Sequence, residues 1–275
     1  MHAVIDFVKM EGAGNDYVYV DAIRNPFDLD QAPAFAARVA DRHFGVGADG
    51  LILLMASEIA DVRMRMWNSD GSQGSMCGNG VRCLAKLAHD HGHVTTETLT
   101  VETDAGIKAV SLRFDAGQAI GARVEMGAVR VSLTPVELEV EGHSYQYFQV
   151  DAGNPHAVVF VEGDPRQLAV AAIGAAIQAL PCFPEGVNVE VVQVRSDATI
   201  MQRTFERGSG ETLACGSGAT AVACAAIELQ KVHGPEVVIE LLGGCLVVEV
   251  TDSGVFMEGP ARTVYRGQIA ADAIS

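Results

Sequence analysis

The chain has 275 residues, enough for one large domain or for two domains of ordinary size. It carries 19 lysines and arginines against 35 aspartates and glutamates, and this net charge of −16 argues against nucleic acid or an anionic membrane as a partner. The six cysteines form no Cys-x-x-C pair and no zinc-finger spacing, so we expect reduced thiols in a cytoplasmic protein, without a metal site or a disulfide framework.

In the first half of the chain, aliphatic runs bounded by glycine or aspartate predict strands. These predicted strands cover residues 4–10, 51–55, 61–67, 99–101, 107–114 and 120–126. A helix is predicted over 32–43. A second helix begins at or just after Cys77, because Val81, Leu84 and Ala88 share one helical face.

The second half repeats this order of elements. Helices are predicted over 166–180 and after Cys215, and strands over 187–194, 199–205, 237–242, 246–250 and 255–257. Polar residues and glycines at 115–121 indicate a junction between two domains, and the stretch from about Ala261 could return to the first domain.

Three landmarks recur in the same order, about 138 residues apart. Ala13-Gly-Asn-Asp16 is echoed by Ala152-Gly-Asn-Pro155, and the run that ends at Gly50 is echoed by the run that ends at Asn188. The third landmark is a segment that opens with an aromatic residue and reaches a cysteine ten positions later, first at Cys77 and again at Cys215. The chain therefore reads as an internal duplication of units of roughly 130 residues.

The repeated cysteines, Cys77 and Cys215, each precede Gly-x-Gly and an apolar stretch with helical spacing. At a helix N-terminus the dipole and the unpaired N–H groups lower a thiol pKa from about 8.5 toward neutrality. Glycines there let a carboxylate approach the N–H groups closely. One thiolate could remove an α-proton while the other thiol delivers a proton to the opposite face. Close packing is the alternative for either cysteine alone. Cys83 and Cys224, inside the helices, are expected to be inert.

Six segments are recognisable: Lys9–Asp16, Asn68–Ser72, Met76–Cys83, Gly153–His156, Val187–Asn188 and Glu206–Gly218. Together they resemble the diaminopimelate epimerases, cofactor-independent enzymes of lysine and peptidoglycan biosynthesis, along nearly the whole chain. The resemblance implies an α/β fold with two pseudo-symmetric duplicated domains, each a curled mixed β-sheet around a central helix, and an active site in the interdomain cleft. The domains would be 1–118, joined by 262–275, and 119–261. The family also suggests a homodimer.

The resemblance also implies roles for individual residues. Cys77 and Cys215 would be the two catalytic bases, with His156 assisting proton transfer and with no cofactor or metal. The reacting carboxylate would be held by backbone groups of Gly78, Asn79, Gly216 and Ser217. The distal amino acid head would be held by Asn15, Asn68, Asn154, Asn188, Glu206 and Arg207. Arginine can bind a carboxylate bidentately and glutamate can accept from an ammonium, so the last pair suits a zwitterion.

Other interpretations of these residues stay open. The asparagines could serve turns, Glu206 and Arg207 could be a solvated pair, and His156 could be structural. His89, His91 and His93 are expected in an exposed loop. Some family members carry glutamine at the position of Gly50 or arginine at that of Gly186, so contacts to the distal head could differ here.

The predicted activity is epimerisation of LL-2,6-diaminopimelate to the meso form. The nearest alternative is a two-cysteine racemase acting on histidine, proline or hydroxyproline. A phosphate or nucleotide binder is disfavoured because Gly80 is followed by Val81-Arg82 and not by Lys-Ser/Thr. A non-catalytic binding protein built on the same duplicated units is a further alternative that only an activity assay excludes.

Overall fold

A computed structural model describes residues 4–270. These residues form two compact units, one comprising 4–124 and 259–270 and the other comprising Glu125–Glu258. The first boundary lies six residues after the predicted one at 118, and the second lies three residues before the predicted one at 261. Residues 1–3 and 271–275 of the predicted first domain lie outside the described residues.

The secondary structure consists of short helices and many strands. In chain order the helices are α1 (Ala32–Ala40), α2 (Gly78–Asp90), α3 (Val170–Gln178) and α4 (Gly216–Glu228). The strands are β1 (Val4–Gly12), β2 (Asn15–Asp21), β3 (Gly50–Met55), β4 (Val62–Asn68), β5 (Gln73–Gly74), β6 (Thr98–Thr103), β7 (Gly106–Asp115), β8 (Gln118–Glu125), β9 (Arg130–Val131), β10 (Val136–Val140), β11 (His143–Asp151), β12 (Pro155–Phe160), β13 (Asn188–Ser196), β14 (Thr199–Glu206), β15 (Gly210–Thr212), β16 (Glu236–Leu241), β17 (Gly244–Thr251), β18 (Gly254–Pro260) and β19 (Arg262–Ala270).

The first unit is a mixed sheet with one buried helix. Strands β1 and β2 are antiparallel, β2 and β3 parallel, β3 and β4 antiparallel, and β4 and β6 parallel. Antiparallel pairs β6–β7 and β7–β8 follow. Helix α2 is buried along most of its length, including Val81, Leu84 and Leu87. Helix α1 is amphipathic, and its Phe35 and Val39 belong to a separate apolar cluster with β2 and β3.

The second unit repeats this topology, which confirms the duplication. Strands β11–β12, β12–β13, β13–β14 and β14–β16 pair in the same antiparallel, parallel, antiparallel and parallel sequence. Antiparallel pairs β16–β17 and β17–β18 complete the series. Helix α4 is alanine-rich and almost wholly buried, which corresponds to α2.

The two copies differ in the strand beside their first hairpin. In the first unit β1 pairs with β19, with Ile5 opposite Ile269, so the end of the chain returns to this unit. In the second unit β11 pairs instead with β10, which precedes it in the chain. The strand at this position thus comes from the end of the chain in the first unit and from the segment just before the hairpin in the second.

Several predicted elements need correction. The helix predicted over 32–43 ends at Ala40, because the Asp41 carboxylate accepts hydrogen bonds from the backbone N–H groups of His43 and Phe44 and turns the chain. The helix predicted over 166–180 begins only at Val170. The strands that went unpredicted are β2, β5, β9, β10, β11, β12, β15 and β19. No helix within residues 4–270 is long and apolar enough to cross a membrane.

Candidate functional site

Cys77 is the N-cap residue of helix α2. Its backbone is extended (φ −134°, ψ 119°), and its Sγ accepts a hydrogen bond from the N–H of Gly80 at 3.3 Å. This bond satisfies one of the N–H groups that a helix leaves unpaired at its start. A Cβ at Gly80 would lie 2.6 Å from Cδ1 of Ile52, so glycine lets the first turn pack against β3. The thiol is therefore held at the positive end of a buried helix.

Asn15 is the side chain that accepts a hydrogen bond from the Cys77 thiol. The Cys77 thiol donates to Asn15 Oδ1 at 3.3 Å, while Asn15 Nδ2 donates to the Asp49 carboxylate at 2.7 Å. The preceding turn places Ala13 and Gly14 at positive φ, 57° and 85°. Since Gly80 N–H can stabilise the thiolate and Asn15 can accept from the thiol, both protonation states of Cys77 have a hydrogen-bond partner.

A network of charged side chains holds Asp49, to which Asn15 donates. Arg42 Nη2 bridges Asp16 at 2.8 Å and Asp49 at 2.9 Å, and the Lys9 ammonium pairs with Asp16. Burial alone would raise the pKa of Asp16, but hydrogen bonds and charges of Arg42 and Lys9 outweigh it and leave that pKa lowered. Burial raises the pKa of Asp49. The network makes Asn15 a rigid partner for the thiol.

Arg82 was not singled out in the sequence, yet it fixes the first turn of α2. Its side chain is 0% exposed, and its guanidinium donates to the carbonyls of Gly78 and Pro260 and to Asn79 Oδ1 at 2.9 Å. Burial lowers its pKa. The Asn79 side chain accepts from Arg82, and the contact to a carboxylate that was predicted for Asn79 is through its backbone. The only signal for Arg82 was a charged residue between Val81 and Cys83 in the first turns of the helix.

Cys215 takes the equivalent position at the start of α4, with φ −127° and ψ 114°. Its side chain is buried, and its Sγ lies 3.5 Å from Oγ of Ser217. Burial raises the pKa of Cys215 well above its ordinary value, and the negative charges of Glu206 and Glu190 raise it further, against smaller opposing contributions from Ser217 and the Gly218 N–H. The predicted lowering of a helix-terminal thiol pKa is therefore wrong for Cys215, because burial and carboxylates outweigh the helix terminus.

Glu206 and Arg207 diverge at the end of β14. Glu206 accepts a hydrogen bond from Oγ1 of Thr212, and burial raises its pKa. The Arg207 backbone N–H donates to Oδ1 of Asn188 at 2.9 Å, while its exposed guanidinium donates to the Glu185 carbonyl. No ion pair joins Glu206 to Arg207 among the described residues, so a solvated pair is not what the structure contains.

His156 lies on β12 of the second unit and is fully buried. Its Nδ1 is 2.9 Å from Oε1 of the buried Glu190, and its Nε2 is 3.0 Å from Oδ1 of Asn154. Asn154 and His156 line a cavity of about 570 Å³, with Arg130 and Asp151 at its wall. Glu190, like Arg82, was absent from the sequence-based site. Its signal was a charged residue between two valines, Val189 and Val191, in the strand.

The remaining predicted positions fall in turns or close packing. Asn68 donates to Oγ of Ser72 at 2.9 Å, so its side chain stabilises the turn between β4 and β5. A Cβ at Gly50 would come 2.0 Å from the backbone oxygen of Trp67. A Cβ at Gly186, where φ is +79°, would come 2.7 Å from Cδ of Arg207. Neither glycine position can accept a side chain without displacing a neighbour.

The other cysteines and the surface histidines lie apart from these groups. Cys83 and Cys224 are buried in α2 and α4, and burial raises their pKa values to about 11 and about 12, as expected of unreactive thiols. The prediction of an exposed loop is wrong for His89, which lies in the last turn of α2. His91 and His93 do lie in the turn after this helix, but they are half-buried and not exposed. Nδ1 of His91 and Nε2 of His93 each lie 2.7 Å from the same Asp21 oxygen, so the two side chains tie the end of α2 to the end of β2.

A sequence model of the family described as diaminopimelate epimerase matches residues 7–132 and 148–264. The chain belongs to the diaminopimelate epimerase family. A diaminopimelate epimerase from Desulfovibrio desulfuricans is 41% identical over 98% of this chain and 99% of its own length. A second, from Leptospira biflexa, is 42% identical over 96% of this chain and 99% of its own length. Members of this family are isomerases.

Solved structures place the same fold in a wider group. A hydroxyproline epimerase from Agrobacterium vitis superposes with a TM-score of 0.76 at 14% identity, covering 99% of this chain and 94% of that one. A phenazine biosynthesis protein of the PhzF family from Bacillus anthracis has a TM-score of 0.75 at 16% identity, with 97% and 99% coverage. These likenesses confirm the mixed α/β, two-domain epimerase fold. At such low identity they concern the fold alone.

Proposed function

We propose that this chain, like the family to which it belongs, epimerises LL-2,6-diaminopimelate to meso-diaminopimelate in lysine and peptidoglycan biosynthesis, with Cys77 and Cys215 as its two bases. The observation that carries this proposal is the matched geometry of the two cysteines. Each is the N-cap of a buried, glycine-led helix at the same point of a duplicated topology. Inversion at one carbon needs one acid and one base on opposite faces, and a duplicated unit with one thiol in each copy supplies both.

The reaction needs no cofactor to balance. One cysteine thiolate takes the α-proton and becomes a thiol, which leaves an enediolate on the substrate. The second thiol then donates its proton to the opposite face of the same carbon and becomes a thiolate. Exchange with solvent protons restores the starting form. Backbone N–H groups at the starts of α2 and α4 are placed to stabilise the developing charge, and one such donor is worth about 3 kcal/mol in comparable sites.

The two thiols enter this cycle from different states. The raised pKa of Cys215 favours its thiol form, which suits the proton donor. Cys77 has a hydrogen-bond partner in either form, Gly80 N–H for the thiolate and Asn15 for the thiol. We therefore assign Cys77 as the base and Cys215 as the acid in the resting enzyme. In the reverse reaction the roles exchange.

The choice of substrate is proposed to depend on the second unit. Asn188 orients Arg207 through its backbone, and Glu206 is a half-buried acceptor, so the pair offers a cation and an anion for a distal amino acid head. Asn15, Asn68 and Asn154 would complete that subsite. The alternative of a racemase for histidine, proline or hydroxyproline is not favoured, because the relatives about 40% identical are diaminopimelate epimerases.

The setting of this activity is also proposed. The substrate is a small, charged amino acid, and the acidic chain is expected to bind neither nucleic acid nor membrane. We further propose a cytoplasmic homodimer that encloses its substrate. Enclosure would keep the enediolate away from bulk water.

The test is incubation of the purified protein with LL-diaminopimelate in deuterated buffer. We expect α-deuterium in the product and conversion to the meso form. Cys77→Ser and Cys215→Ser should each lose inversion, while Cys83→Ala and Cys224→Ala should retain it. Absence of exchange, or faster turnover of L-proline or L-histidine than of LL-diaminopimelate, would refute the assignment. Wild-type inversion by either serine variant would refute the two-base mechanism.

A further inference from the structure

A buried glutamate–histidine pair lies below the start of α4. Glu190 on β13 and His156 on the neighbouring strand β12 are both 0% exposed, and Oε1 of Glu190 is 2.9 Å from Nδ1 of His156. Replacing such a pair by apolar side chains often leaves stability unchanged or improves it. Stability alone therefore does not account for the burial of these two groups. The proposed reaction cycle gives Glu190 no role.

Both ring nitrogens of His156 have a hydrogen-bond partner. Nδ1 faces the Glu190 carboxylate, and Nε2 faces Oδ1 of Asn154 at 3.0 Å. A carboxylate oxygen and an amide carbonyl oxygen only accept hydrogen bonds. In this arrangement both ring nitrogens act as donors, as they do in an imidazolium, and the Glu190 carboxylate lies where it would balance that charge. Other ionisable groups near this pair are Asp151 on β11, Glu206 on β14 and Cys215 at the start of α4.

His156 in turn orients Asn154. Because Oδ1 of Asn154 accepts from Nε2 of His156, the Nδ2 group of the same amide is directed away from the ring. Asn154 also lines the cavity of the second unit. A neutral His156 with its proton on Nδ1 would need a donor at Nε2, and the amide would have to rotate and present its carbonyl instead. The protonation of His156 thus decides whether Asn154 offers a donor or an acceptor.

Glu190 is also fixed in place by the helix start. A Cβ at Gly218 would lie 2.5 Å from Oε1 of Glu190, so this carboxylate fills the space that the glycine leaves. Its second oxygen, Oε2, is buried without a hydrogen-bond partner among the residues that the structure describes. The carboxylate therefore has one strong interaction, the one with His156.

We propose that Glu190 is a positioning residue, which holds His156 as an imidazolium and thereby fixes the Asn154 amide as a hydrogen-bond donor to the substrate. The part of this proposal that concerns substrate rests on the proposed epimerase function. The part that concerns His156 does not, and it is measured without any substrate.

The first test is ¹⁵N NMR of the protein with labelled histidine between pH 6 and 8.5. The two ring nitrogens have similar chemical shifts in an imidazolium and well-separated shifts in a neutral ring, and the His156 signals are assigned by their loss in His156→Asn. We expect an imidazolium at pH 7.5 in wild type and in Glu190→Asp, and a neutral ring in Glu190→Gln. Glu236→Gln, which removes an exposed charge of the same unit, should match wild type. A neutral His156 in wild type, or an imidazolium in Glu190→Gln, would overturn the proposal.

The second test separates positioning from a structural role. Glu190→Gln is nearly isosteric and its amide oxygen can still accept from Nδ1, so the fold should persist. We expect its KM for LL-diaminopimelate to rise at least 10-fold, with a smaller change in kcat, because the Asn154 amide rotates. In an Asn154→Ala background the same substitution should change KM less than 2-fold, since the group that it acts through is gone. Full additivity of the two KM effects would overturn the proposal that Glu190 acts through Asn154, whatever the NMR result for His156.

Discussion

Gly218 offers a test of the packing beneath the second thiol. It is the third residue of α4 and is fully buried. A Cβ built there would lie 2.5 Å from Oε1 of Glu190 and 3.1 Å from Nε2 of Gln202. Gly218→Ala therefore forces the Glu190 carboxylate, or the helix itself, to move.

Two opposing effects set the magnitude. Glycine-to-alanine substitution in a helix stabilises by about 1 kcal/mol when the new methyl group meets nothing. Overpacking in a filled core costs about 1 to 3 kcal/mol, and loss of a hydrogen bond to a charged group costs about 1.5 to 3 kcal/mol. Since the displaced group is the partner of His156, we expect a net destabilisation of about 2 kcal/mol or more.

The assay must report on the second unit. The only tryptophan, Trp67, lies on β4 of the first unit, so its fluorescence would not follow α4. Hydrogen exchange measured by mass spectrometry on peptides from α4 and β13 is suitable, and a loss of 2 kcal/mol corresponds to exchange about 30-fold faster. Ser217→Ala is the matched control, because Ser217 already has a Cβ. Protection of α4 in Gly218→Ala equal to or above wild type would refute the predicted crowding.

Three further predictions concern the charged groups of the two units. Glu206→Gln should accelerate alkylation of Cys215 by iodoacetamide at pH 7.5, because loss of a half-buried negative charge lowers the thiol pKa; an unchanged rate by peptide mass spectrometry would contradict this. Gly186→Arg should raise KM for diaminopimelate about 10-fold, since its Cβ would meet the Arg207 side chain, and an unaltered KM would show that Arg207 tolerates displacement. Burial would raise the pKa of Asp21, but hydrogen bonds from His93 and His91 outweigh it and leave that pKa lowered. The Asp21 carboxylate therefore stabilises the folded state above pH about 4, and this stabilisation is lost as the pH falls further. Asp21→Asn should thus flatten acid unfolding in that range, and a curve parallel to wild type would refute it.

The sequence predicted most of the elements because their hydrophobic periodicity is strong. Helices α2 and α4 and most of the buried strands followed directly from apolar spacing, although the buried strands β2 and β12 were missed. Strands β10 and β11 did not, because they are half exposed and rich in polar residues, as in Val136–Val140. The end of α1 depended on one side chain, Asp41, whose local hydrogen bonds compete with the helix.

The candidate site was predictable only where its chemistry is local in sequence. The Cys-Gly-x-Gly segments predict a thiol at a helix start, and the structure has a cysteine at the start of both α2 and α4. Arg82 and Glu190 were missed because a charged residue between apolar ones normally indicates an exposed position. Their full burial arises from strands and helices distant in the chain. The pKa direction of Cys215 was missed for the same reason, since burial and two carboxylates are not visible in the local motif.

The two copies of the duplicated unit share a backbone arrangement but surround their thiols with different side chains. Asn68 and Glu206 occupy equivalent ends of β4 and β14, each before a short return strand. Asn68 bonds to its own turn, so the partner of Cys77 is the neutral amide of Asn15. Glu206 instead adds negative charge near Cys215 and raises the pKa of its thiol. The divergence of this one pair of equivalent positions therefore gives the two thiols different electrostatic surroundings.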